Sequence, residues 1–165
     1  MQCVAMRNVI RYDPEGRPVF ITQACKDHQP ALAGVEGLLL AVIQELRSEG
    51  GWKIHAHVIL PDHLHLIIGG GRGFSRFMQS LKLRTVRRAG LGRFWQGRFH
   101  DHIIRNDRDF RNHLDYLHYN PVRHGHARTP AEFPFTSFRQ YQARNLYMPG
   151  WGHREPGNID GVDVE

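Results

Sequence analysis

Cysteine is nearly absent from this chain. Cys3 and Cys25 are the two among 165 residues, and they stand in no metal-binding or redox spacing. A disulfide scaffold is excluded, and a reduced, cytoplasmic protein is the expectation. Long apolar runs are missing too. None approaches the ~18 residues of a membrane span, and the short run at 38–43 continues into Gln44-Glu45-Leu46-Arg47 as a buried helix would. The N-terminus lacks the charged-then-apolar pattern of a secretory leader. Acidic residues are the minority, 16 against 22 Lys+Arg, with 12 histidines besides. That balance favours a polyanionic partner, nucleic acid first, because arginine is concentrated in the middle of the chain. No internal repeat or composition break marks a second domain, so one core is expected over residues 1–152, with a flexible tail over 153–165.

Periodicity orders the elements. A turn-rich lead at 12–16 precedes a strand over 18–22, and residues 23–34 read as loop. Apolar residues at 38, 39, 42, 43 and 46 give a helix over 35–49, stopped by Gly50-Gly51. Strands over 52–60 and 63–68 flank a turn at Pro61-Asp62. After the glycine loop at 69–73, Phe74, Phe77, Met78 and Leu81 mark a second helix, and residues 99–104 a fourth strand. Asn106 caps a third helix with Phe110, Leu114 and Leu117 as its apolar stripe. Pro121 should end it, leaving Asn120 at the last turn. The order β-α-β-β-α-β-α predicts an α+β fold, a ferredoxin-like sandwich around a central antiparallel sheet.

The chemistry concentrates in two places. His63 and His65 flank one leucine on a strand, so both rings share one face. Two imidazoles need a further ligand, and the Asn120 amide oxygen is a hard donor suited to Mg2+ or Mn2+. Tyr116 stands one turn before Asn120 and would bring a phenol to the same ion. Tyr119 competes for that role. Each residue also has a plain structural reading: surface imidazoles, a helix C-cap, a packing aromatic. His55 and His57 form a rival pair. A two-residue turn sets Leu60 opposite His63 and Val58 opposite His65, which puts His57 on the other face; both His55 and His57 are expected there.

At this point the chain resembles a known family. His63-Leu64-His65 followed by a helical tyrosine is similar to the HUH endonucleases, and more closely to the REP-associated tyrosine transposases. The matching residues are Leu60-Pro61-Asp62-His63-Leu64-His65, Phe94-Trp95-Gln96-Gly97-Arg98-Phe99, and the run from Asp115 to Gly125. Ser137-Phe138-Arg139-Gln140-Tyr141 and Trp151-Gly152 complete the match. The resemblance implies a divalent metal, Mg2+ or Mn2+, on His63, His65 and Asn120, with Tyr116 as nucleophile. It also implies cleavage of single-stranded DNA at the foot of palindromic hairpins, leaving a 5′-phosphotyrosine. The protein would act in the cytoplasm at the nucleoid, as monomer or homodimer. Departures are Gly69-Gly70-Gly71-Arg72-Gly73, where the family usually carries acidic residues, and Gly97, where an arginine is common.

DNA contacts are expected from Arg76, Lys82, Arg84, Arg87, Arg88, Arg93 and Arg98, which neutralise phosphates, with Trp95 stacking on unpaired bases. A solvated arginine face and core packing of Trp95 are the plain readings. Two other functions remain in play: a hairpin-binding protein without strand transfer, and a metallo-phosphodiesterase using metal-bound water.

Overall fold

The computed structural model describes residues 16–71 and 73–162. Cys3, most of the turn at 12–16, and Arg72 lie outside them. The elements run β1 (Val19–Ala24), α1 (Glu36–Gly50), β2 (Trp52–Ile59), β3 (His63–Gly70), α2 (Phe74–Ala89), β4 (His100–Ile103), α3 (Asp107–Arg123) and a short α4 (Phe138–Ala143). The sheet order is β2-β3-β1-β4, and each neighbouring pair is antiparallel. This is the α+β sandwich that the periodicity predicts. No helix among the described residues is long and apolar enough to cross a membrane.

The central strand β3 is buried on both faces, and alternation divides its side chains between two cores. Leu64, Leu66 and Ile68 pack with Leu39, Val42, Ile43 and Leu46 of α1 and with Phe77, Met78 and Leu81 of α2. On the other face Phe20, Val58 and Ile67 pack with Phe110, Leu114 and Leu117 of α3. Period two on the strand meets period 3.6 on the helices, so the sheet has one helical layer on each side. His63 and His65 alternate with the leucines and therefore face α3.

Three expectations change. First, α3 does not stop at Asn120 but continues to Arg123 with Pro121 inside it. The fixed φ of proline suits a helix; the cost is its missing N–H and the crowding of its ring against the carbonyl four residues back. The Pro121 carbonyl then accepts from the backbone N–H groups of His126 (2.8 Å) and Ala127 (3.3 Å), which closes the helix end. Second, β2 carries a bulge: Ile54 pairs with Ile68 and Ala56 with Ile67, so His55 is the extra residue. The bulge turns the His55 ring edge-on to Phe110 of α3, at 5.8 Å between centroids. His57 stays opposite Leu66. Of the two, His57 alone keeps the expected face. Third, the tail expected to be flexible from residue 153 is packed as far as residue 162. Ile159 is 2% exposed, and Asn158 Nδ2 donates to the Asp115 carboxylate at 2.8 Å.

Candidate active site

β3 supplies both histidines, and their neighbours fix which nitrogen faces inward. His63 and His65 lie with ring centroids 4.9 Å apart, and both are buried. Thr22 of β1 pairs with His65 in the sheet, and its Oγ1 is 2.9 Å from His65 Nδ1. With Nδ1–H donating to that hydroxyl, Nε2 keeps its lone pair; it is buried with no hydrogen-bond partner. Asp62 Oδ1 lies 2.7 Å from His63 Nδ1 and orients that ring in the same sense. Burial, the largest single influence, pulls the Asp62 carboxyl up, but the His63 hydrogen bond, the nearby imidazoles and its own backbone N–H together hold it below the ordinary range. Burial drives His65 well below the usual histidine pKa, the neighbouring His63 and His124 push the same way, and Asn120 only partly offsets them. His65 is therefore neutral, the state in which imidazole binds metal.

α3 brings the third donor. Asn120 Oδ1 is 3.1 Å from His63 Nε2, and Asn120 Nδ2 is buried without a partner. With both Nδ1 protons engaged outward, the oxygen faces a nitrogen lone pair, an acceptor against an acceptor. A rotated amide would satisfy the nitrogen. A cation among the three would satisfy His63 Nε2, His65 Nε2 and Asn120 Oδ1 at once, though not the Asn120 amide N–H groups, and two imidazoles with an amide oxygen suit a divalent ion. The residues present therefore fit such an ion.

Tyr116, one turn earlier, packs edge-on to His65 at 5.6 Å and to Phe20 at 6.1 Å, with the Arg123 guanidinium 5.6 Å over its ring. It is 2% exposed. Tyr119 is also buried, but the ring contact with His65 belongs to Tyr116. The next turn carries His124, whose ring lies 5.0 Å from His63. Spacing of four along 116, 120 and 124 would have found it. Thr22 is visible only through strand pairing.

A cavity of about 520 Å3 opens beside His63, lined by His28, Arg98, Phe99, His100 and His124. A second, of about 490 Å3, lies across Phe99 and is lined by Lys82, Leu83, Val86, Arg93 and Trp95. Phe99 borders both, so one path leads from the histidines to Arg93.

Several expected DNA contacts are engaged elsewhere. Arg84 forms a two-point pair with Glu49 at 2.9 and 2.6 Å, and Arg88 one with Glu45 at 2.8 Å on both arms. These tie α2 to α1. Lys82 Nζ donates to the carbonyls of Gln96 and Gly97 at 2.8 and 2.9 Å and shapes the loop before β4. Trp95 is a core residue whose indole N–H donates to Thr85 Oγ1 at 3.0 Å. Arg76 and Arg87 are exposed on α2, and Arg93 and Arg98 are exposed along the path.

The remaining motif residues brace α3 from its other side. Ser137 Oγ–H donates to His118 Nε2, His118 Nδ1–H to Tyr147 Oη, and Tyr147 Oη–H to Asp115 Oδ1, at 2.8, 2.8 and 2.9 Å. Tyr141 Oη–H donates to the His55 carbonyl at 2.6 Å. Gly152 has φ +85°, and a Cβ there would meet the Pro130 ring at 2.5 Å, so only glycine fits.

No family model matches the chain. A REP-associated tyrosine transposase of Escherichia coli K12 is 33% identical over 145 residues, covering 86% of this chain and 88% of that one. A Haemophilus influenzae protein provisionally given the same name is 32% identical over 123 residues, 62% of this chain and 68% of that one. A solved REP-associated tyrosine transposase bound to a REP hairpin superposes with a TM-score of 0.80 at 30% identity, over 99% of this chain and 98% of that one. With a histidine pair and a helical tyrosine brought together on the same fold, the chain belongs to the REP-associated tyrosine transposase family.

Proposed function

We propose that the protein is a metal-dependent endonuclease and strand transferase acting on single-stranded DNA at the foot of palindromic hairpins. The observation that carries this reading is the convergence of His63 Nε2, the unpartnered His65 Nε2 and Asn120 Oδ1 beside Tyr116. His63, His65 and Asn120 would hold Mg2+ or Mn2+, which when bound polarises a DNA phosphate. Tyr116 Oη is the attacking atom. It bonds to phosphorus, the bond from phosphorus to O3′ breaks, the phenolic proton passes to solvent, and O3′ leaves as a hydroxyl. The product is a 5′-phosphotyrosine that keeps the bond energy needed for rejoining. Thr22 and Asp62 hold the two imidazoles in the ligating tautomer. Arg98 and Arg93 lie where phosphates of the flanking strand would run, and Phe99 between them offers a stacking face. The hairpin partner is supported by the related transposase solved with a REP hairpin.

Incubation with end-labelled hairpin DNA and Mn2+, followed by denaturing electrophoresis, tests the reading. A protein–DNA adduct that survives denaturation and disappears with chelator is expected. Cleavage without any adduct would favour metal-bound water as the attacker and overturn the covalent step.

A further inference from the structure

A second group of imidazoles lies beyond Phe20. The Phe20 ring touches His65 on one side, at 5.2 Å, and His113 on the other, at 5.0 Å. His102 of β4 pairs with Phe20 in the sheet and so faces α3 as well. His102 Nε2 is 3.0 Å from Asp109 Oδ2, and His113 Nδ1 is 3.1 Å from Asp109 Oδ1. The two rings stack nearly parallel, 14° apart with centroids at 4.3 Å. Among the described residues this trio brings three ligand atoms of His, Asp, Glu or Cys within 4.8 Å of one another.

The two nitrogen-to-carboxylate separations suit neighbouring ligands of one ion as well as hydrogen bonds. Bonds of about 2.0–2.2 Å to a tetrahedral or octahedral ion set neighbouring ligand atoms roughly 2.9–3.5 Å apart. His113 Nδ1 also lies 2.8 Å from the Asp109 backbone carbonyl and donates its N–H there, so an ion taking that nitrogen's lone pair would displace the proton to solvent. The trio opens on a cavity of about 520 Å3 that Asn112, Asn158 and Asp160 also line, which leaves room for water or a further oxygen ligand. Arg105 Nε is the competing cation, 3.4 Å from Asp109 Oδ2 on an exposed side chain free to swing away.

We infer that His102, Asp109 and His113 form a second divalent-cation site, of the Zn2+ class, which fastens β4 to the first two turns of α3. Two imidazoles and a carboxylate prefer a borderline ion to Mg2+. Tyr116 follows His113 by three residues on the same helix, so an ion here stiffens the helix that carries the tyrosine. The site shares no ligand with His63 and His65 and stands or falls apart from them.

The test uses the full chain stripped with chelator and titrated with Co2+, a visible-absorbing probe for Zn2+ sites. His63→Ala/His65→Ala should still bind one equivalent, with a d–d spectrum that Zn2+ abolishes and excess Mg2+ leaves in place. Adding His102→Ala should remove that equivalent; His102 sits on an edge strand and its loss leaves the core intact. Zn2+ should also raise the melting temperature of His63→Ala/His65→Ala, and should not raise that of the variant that adds His102→Ala to them. If His63→Ala/His65→Ala binds no Co2+, or if adding His102→Ala leaves both the stoichiometry and the Zn2+-induced shift in place, the trio is a hydrogen-bonded clasp only and the inference is wrong. Should the double variant not fold, the stoichiometry of His102→Ala against wild type decides alone: one equivalent fewer supports the site, and no difference overturns it.

Discussion

Tyr116 combines two demands that conflict. Its ring is part of the core between Phe20 and α3, at 2% exposure, yet as the proposed nucleophile its hydroxyl would have to meet a DNA phosphate. Phenylalanine separates the two, because it keeps the ring and removes one oxygen. Tyr116→Phe is expected to abolish both cleavage and adduct, keep hairpin affinity, and change stability by no more than about 1 kcal/mol. Gel assays, equilibrium binding and urea unfolding read these out. Retention of the adduct in Tyr116→Phe with its loss in Tyr119→Phe would move the nucleophile to Tyr119. Burial also implies that DNA has to open a route to the hydroxyl, so protection of this side chain should fall when hairpin binds. His63 and His65 were readable one residue at a time, since period two settles their face. Their orienting partners were not equally readable. Asp62 is adjacent in sequence, whereas Thr22 comes from a strand about forty residues away and appears only with the register.

At the scale of elements, α2 shows how one charge pattern admits two readings. Its arginines fall on a common face and read as a phosphate-binding stripe. Yet the Glu45 and Glu49 carboxylates of α1 lie within reach of Arg84 and Arg88, and the pairs form between helices. Sequence gives the charges of one helix but not the neighbour that it packs against. Arg93→Ala/Arg98→Ala should therefore flatten the slope of log affinity against log salt by about one unit per lost contact. Arg84→Ala/Arg88→Ala should leave that slope unchanged and cost little stability, because exposed pairs are weak. Equal effects of the two double variants would restore the stripe. The end of α3 and the bulge at His55 were hidden for related reasons. A proline rule describes the backbone before it, not the carbonyl bonds that continue the helix beyond it. An inserted strand residue has no signature until its partner strand is known.

For the whole molecule, buried imidazoles on both faces of the sheet are costly in acid. Burial lowers His57 to about 4 and drives His118 well below its ordinary value. Unfolded histidine titrates near pH 6.5, so below that the unfolded chain binds more protons than the folded one. Stability is full above pH 6.5 and falls as the pH drops toward 4, by up to about 3 kcal/mol for His57 alone. Burial raises the Asp115 carboxyl and offsets part of this loss. Urea midpoints in chelator should fall steadily over that window, and a flat profile would remove these histidines as the acid-sensitive groups.

The double bracing of α3 has a consequence in time. One wall of the tyrosine helix is the sheet, complete once residue 103 is made. The other is built by Ser137, Tyr147 and Asn158, among the last described residues of the chain. During synthesis, β1 to β3 and the two helices above them can assemble while Asp115 and His118 still lack partners. A chain stopped at residue 136 is expected to expose 107–123 to protease and to form no adduct; full protection of that segment would refute this. On the proposed mechanism, the capacity to break DNA arrives only after Asn158 has been made, and chains stopped short of it would be held inactive by the fold itself.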